Sequence, residues 1–95
     1  MKIGDMVKVV DNGRTYSSHS KMASKLESTK WKRGSCPENG IIYELVNYLM
    51  VSSMAYCLVR DKKGWEYIIG SGGIEVLPSY MQLTEIDNML KGLED

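Results

Sequence analysis

Residues 54–69, MAYCLVRDKKGWEYII, hold two apolar, β-branched and aromatic runs separated by Asp61-Lys62-Lys63-Gly64. An acidic residue opening the turn and a glycine able to take positive φ are the chemistry of a tight hairpin. Met54–Asp61 and Trp65–Ile69 are therefore expected to pair antiparallel. The other apolar runs in the chain must supply the strands that complete a small core around this hairpin.

Those runs are short and bounded by turn residues. Gly4-Asp5 leads into Met6-Val7-Lys8-Val9-Val10, with Val7 and Val9 expected on the better-buried face and Met6, Lys8 and Val10 on the other. Asp11-Asn12-Gly13 marks a turn, after which Arg14-Thr15-Tyr16 continues extended. The run Ile41–Val51 is read as a strand with Ile41, Tyr43 and Leu45 sharing a face. Helix is the rival reading there, but Val46, Tyr48 and Val51 are poor helix formers and Gly40 brings no capping side chain. Gly70-Ser71-Gly72-Gly73 reads as a turn before a last short strand, Ile74–Leu77, stopped by Pro78.

Two helices are expected. The first covers about 18–29, with Ser17-Ser18 offering capping hydroxyls and Met22, Ala23 and Leu26 forming one apolar stripe. Ser20, Ser24 and Ser28 dilute its propensity, so packing must hold it. The second covers about 84–93, where Thr84 and Asp87 make a capping pair ahead of Met89, Leu90 and Leu93. The expectation is one mainly β domain over residues 1–95, with minor α content.

Composition narrows the function classes. Twelve basic and twelve acidic residues leave no formal net charge, whereas duplex-DNA binding draws most of its affinity from a cationic surplus; duplex DNA is not the expected partner. Cys36 and Cys57 are the only cysteines and His19 the only histidine. That set has no zinc-ligand spacing, and two reduced thiols without a signal peptide point to a cytoplasmic protein. The apolar stretches are too interrupted to span a bilayer. No metal or cofactor is expected.

The start GDMVKVVDNGRTY, the helical SKMASKL, the KWKRG that follows it and the hairpin YCLVRDKKGWEYIIG together resemble small uncharacterised proteins of tailed bacteriophages. These look like SH3-like β-barrels with a helical insertion after the first strand. The resemblance covers residues 3–77 and is architectural, with no catalytic residue attached to it. It implies expression in the cytoplasm of an infected bacterium, and accessory proteins of that setting often bind and disable a host protein in a defence or regulatory pathway.

Three groups of residues are candidates for binding. Lys30, Trp31, Lys32 and Arg33 combine three cations with an indole, and Arg14 and Tyr16 are expected to approach them across the helix. Such a patch suits a protein partner, and it also suits a nucleotide signal or single-stranded RNA, held by stacking and phosphate neutralisation. The plainer reading is that Trp31 anchors a loop while its neighbours stay solvated. Trp65 and Tyr67 on the hairpin form the second group. Gly72 and Gly73 form the third, since a glycine-rich turn can cradle a phosphate, although the P-loop ending is missing and a plain turn suffices. His19, Asp11, Asp61 and Cys36 make no recognised nucleophile motif, and Cys57 reads as a small core side chain. The expected function is non-enzymatic binding, with host-protein inhibition ahead of nucleotide sequestration and RNA binding. A nucleotide binder built on so small a domain would need to form a homo-oligomer, because one copy offers only a shallow pocket.

Overall fold

The computed structural model describes residues 1–78 together with Tyr80 and Met81; the helix expected over 84–93 lies outside the described residues. Five strands, β1 (Met6–Val9), β2 (Ile42–Val51), β3 (Met54–Arg60), β4 (Glu66–Gly70) and β5 (Ile74–Val76), form one antiparallel sheet in the order β4-β3-β2-β1-β5. The fold is mainly β. Its sheet is not closed, and β4 passes to β5 through a single 3-10 turn, Ser71–Gly73. A helix of six residues, α1 (Ser20–Lys25), lies in the long β1–β2 connection.

The hairpin forms as its turn chemistry requires. Asp61 Oδ1 accepts from Lys63 N at 2.9 Å and from Trp65 N at 3.0 Å, and Gly64 takes φ +94°. The run 41–51 is a strand, although β2 starts one residue later than expected, and a register shift between Leu45 and Asn47 interrupts its alternation. Tyr43 and Leu45 are buried, while Ile41, outside the strand, stays exposed.

The core has two parts, one on each side of the sheet. Val7, Val9, Tyr43, Leu45, Ala55, Cys57, Val59 and Ile69 form the first, and Met22, Ala23, Leu26, Leu58 and Ile68 the second. Strand β3 therefore feeds both sides, which is why its sequence is apolar nearly throughout. Burial pushes the Cys57 thiol up to about 11, so it stays protonated as a core side chain. The apolar stripe of α1 covers the second cluster as expected. Its cap is a different one, however: His19 Nδ1, not a hydroxyl of Ser17 or Ser18, accepts from Met22 N at 3.3 Å. The helix is also shorter than the stretch 18–29, because Glu27 takes φ +61° and ends it.

The β1–β2 connection turns back along the outer edge of β4. A 3-10 turn at Asn12–Arg14 comes first, so the extended path begins at Thr15 rather than Arg14. Thr15 bridges Ile69 in antiparallel fashion, Tyr16 N donates to Ile68 O at 2.8 Å, and Trp31 later bridges Glu66 in parallel. An edge strand that would present open N–H and C=O groups is thereby covered by its own chain.

Gly73 secures the join between β5 and β1. Its carbonyl accepts from Val10 N at 2.9 Å and Asp11 N at 3.2 Å, and a Cβ built there would lie 2.6 Å from Asp11 O and 2.9 Å from Ile69 Cδ1. The carbonyl of Asp11 cannot retreat without opening those bonds. Gly73→Ala is therefore expected to cost about 1–3 kcal/mol, as overpacking does. Thermal unfolding of the variant checks this, and a melting temperature equal to wild type would mean that the join is looser than described.

Candidate binding surface

A buried carboxylate organises the basic loop. Glu66 is 2% exposed, and its Oε1 accepts from Ser28 Oγ at 2.9 Å and from Thr29 N and Lys30 N at 3.1 Å each. Its Oε2 accepts from the Arg60 guanidinium at 3.0 Å. Burial is the largest single influence on this carboxyl and raises its pKa, but the bonds from Ser28, Arg60, Lys30 and Thr29 together outweigh burial and hold it below its ordinary value. Ser28 Oγ in turn accepts from Trp31 N at 3.1 Å. Residues 28–31 are thus fastened to β4 by the Glu66 side chain together with the backbone bridge between Trp31 and Glu66.

The fastening decides what each basic residue does. Trp31 is half-buried against the second cluster, and its Nε1 has no hydrogen-bond partner among the described residues. Its ring packs the loop against that cluster. Lys32 crosses to the hairpin, where its ammonium sits 4.1 Å from the centroid of the Trp65 ring, a cation–π contact between two groups that lie far apart in sequence. The Arg33 guanidinium donates to Ser18 O at 3.1 Å. Trp65 is 38% exposed, and the turn before it carries the exposed Lys62 and Lys63. Lys32 is thus stacked on an exposed indole at the turn end of the β3–β4 hairpin, and the two segments that carry this pair also carry the exposed Lys30, Arg33, Lys62 and Lys63.

Tyr67 is the second aromatic of the hairpin. It lines a cleft of about 300 Å³ with Cys36, Glu38, Tyr43, Lys62 and Lys63. Its hydroxyl donates to Asp61 Oδ2 at 3.0 Å, and its ring meets Tyr43 edge-on at 5.7 Å. Burial, with Asp61 adding to it, pushes the Tyr67 phenol up to about 12. Burial likewise raises Tyr43, whose oxygen accepts from Glu38 N at 2.9 Å. Both phenols are neutral near pH 7 and bonded to their own surroundings.

Arg14 and Tyr16 are placed elsewhere. They line a pocket of about 260 Å³ with Gly13, Thr15, Met54, Gly70 and Gly72, at the far end of β4 from the indole. Gly73 belongs to the strand join, where its carbonyl accepts from Val10 N and Asp11 N. His19 packs beside the Tyr16–Tyr56 pair, at 6.3 and 5.8 Å between ring centroids. Glu66, Lys62 and Lys63 were not among the residues that the sequence singles out. Glu66 carries one readable signal, a lone acid within an otherwise apolar strand.

Among the described residues, no group of three or more His, Cys, Asp or Glu side chains is placed to hold a metal ion, and no helix is long and apolar enough to cross a membrane. No protein-family model, curated protein or solved structure matches the chain.

Proposed function

We propose that the protein is a non-enzymatic accessory binding protein, with an SH3-like barrel, that binds and inhibits a host bacterial protein through an acidic patch on that partner. The observation that carries this reading is the stacking of Lys32 over the half-exposed Trp65, where the basic loop with Lys30 and Arg33 meets the hairpin turn with Lys62 and Lys63. An aromatic anchor ringed by charge is a common composition for a protein-binding hot spot. The meander of strands, with α1 after β1 and a 3-10 turn linking the edge strands, supports the barrel. Expression within an infected bacterial cell follows from the resemblance to phage proteins.

A protein partner is preferred over a nucleotide or single-stranded RNA because Lys32 already occupies one face of Trp65. A stacked base would have to displace it or use the other face alone. The test is affinity purification of the full chain from nuclease-treated bacterial lysate, with mass spectrometry of what is retained. A stoichiometric protein is expected, and Trp65→Ala should weaken its binding about 30-fold or more, as the loss of a hot-spot aromatic does. The same variant should lose under about 1 kcal/mol of stability, because the ring is a surface group. Recovery of no protein, together with calorimetric binding of a nucleotide, would reverse the order of the two readings.

A further inference from the structure

We propose that the pocket at the Gly70 end of β4 is a binding site for a small carboxylate with an apolar body, and that Arg14 holds the carboxylate. The site is independent of the basic surface around Trp65. The chain meets β4 at Ile69 through Thr15 but at Glu66 through Trp31, so roughly 10 Å of strand separates the two.

Arg14 supplies the charge. Its Nε lies 3.5 Å from Asp11 Oδ2, and its terminal nitrogens make no hydrogen bond or ion pair among the described residues. A guanidinium fork with two free N–H groups matches a carboxylate in bidentate geometry. Asp11 already balances part of its charge, which favours a monoanion over a doubly charged phosphate. Tyr16 and Met54 supply the apolar wall. The Tyr16 ring is held 4.8 Å from that of Tyr56, and its hydroxyl has only the Met54 thioether, at 3.8 Å, as a partner among the described residues. A flat or apolar body would lie against this wall, with the phenol free to donate to it or to the carboxylate.

The glycines carry the argument furthest. Gly70 and Gly72 line the pocket, and neither has the positive φ that would demand glycine. A Cβ on Gly70 would meet only Tyr16 and the Arg14 carbonyl, at 3.6 Å or more, and one on Gly72 would touch the Arg14 side chain at 3.4 Å. No backbone clash of the kind found at Gly73 accounts for them. Alanine would lower the entropy lost on folding at both positions, and at both its Cβ would sit in ordinary contact with Tyr16 or with the Arg14 side chain, which places this backbone directly against the two side chains of the pocket.

The test is an amide NMR titration of the full chain with benzoate, its uncharged isostere benzamide, and inorganic phosphate. Benzoate should shift the amides of Gly13, Gly70 and Gly72 saturably, with a dissociation constant on the order of 1 mM, as suits a fragment-sized ligand. Benzamide should bind at least about tenfold more weakly, and phosphate should not saturate these signals. Arg14→Gln should abolish the benzoate shifts. Gly72→Ala should keep the folded spectrum while weakening benzoate about tenfold or more. No saturable shift with benzoate, equal binding of benzamide, saturation by phosphate, or wild-type affinity in Gly72→Ala would each overturn the proposal.

Discussion

Glu66→Ala is expected to destabilise the protein by about 3–5 kcal/mol, since it leaves Ser28 Oγ and the backbone N–H groups of Thr29 and Lys30 without their acceptor in a buried place. For a domain of this size that is a fall in melting temperature of roughly 12–40 °C. Arg60 is not the source of the cost. Its side chain is 41% exposed, and a solvated guanidinium that loses its partner forfeits little. Arg60→Gln keeps the three donors to Oε1 but takes the partner from the buried Oε2, so it should cost less than Glu66→Ala, about 1–3 kcal/mol. Should the two variants unfold at the same temperature, the carboxylate would be acting as an ion-pair partner and not as the acceptor that organises the loop.

The same carboxylate sets a pH dependence. Its pKa in the folded protein lies below the ordinary value of 4.5, so the folded state binds the proton less readily than the unfolded chain does. The stability it contributes is complete above that ordinary value and is lost as pH falls through the lower, folded value. Glu66→Gln removes this titration. Its stability should be nearly the same at pH 4 as at pH 6, apart from the other carboxylates, while that of the wild type falls.

Much of the fold was legible because its signals are local. The Asp61–Gly64 turn and the apolar stripe of α1 depend on neighbours in the chain and form as read, and Val7 and Val9 are buried as expected, while Met6, expected on the less buried face with Lys8 and Val10, is buried too. The helix cap was misplaced because an imidazole takes the place of two nearby hydroxyls, and that imidazole is packed in a cluster with the Tyr16 and Tyr56 rings. The candidate surface was legible only in part. Arg14 and Tyr16 were expected beside Trp31; Tyr16 does pack on the same cluster as Trp31, while Arg14 stands off, because the connection meets β4 at Ile69 through Thr15 and at Glu66 through Trp31. Nothing local marks Lys32 as the partner of Trp65. The contact exists because Glu66 binds two backbone N–H groups, whose identity does not depend on side chains and so leaves no trace in the sequence.

Reversing two charges tests the central claim most directly. Lys32→Glu with Arg33→Glu replaces two cations of the Trp65 surface, one of them stacked on the indole and the other bonded to Ser18 O. Both side chains are at the surface, so the cost in stability should stay under about 1 kcal/mol. An acidic partner would meet repulsion where it had met attraction, which costs several kcal/mol. The measurement is retention of the host protein by wild type and by the double variant, side by side, with melting temperatures recorded for both. Complete loss of the partner from a variant that melts within a few degrees of wild type, roughly 4–8 °C for 1 kcal/mol, is the predicted result. Retention of the partner at wild-type level by the folded double variant would contradict the account.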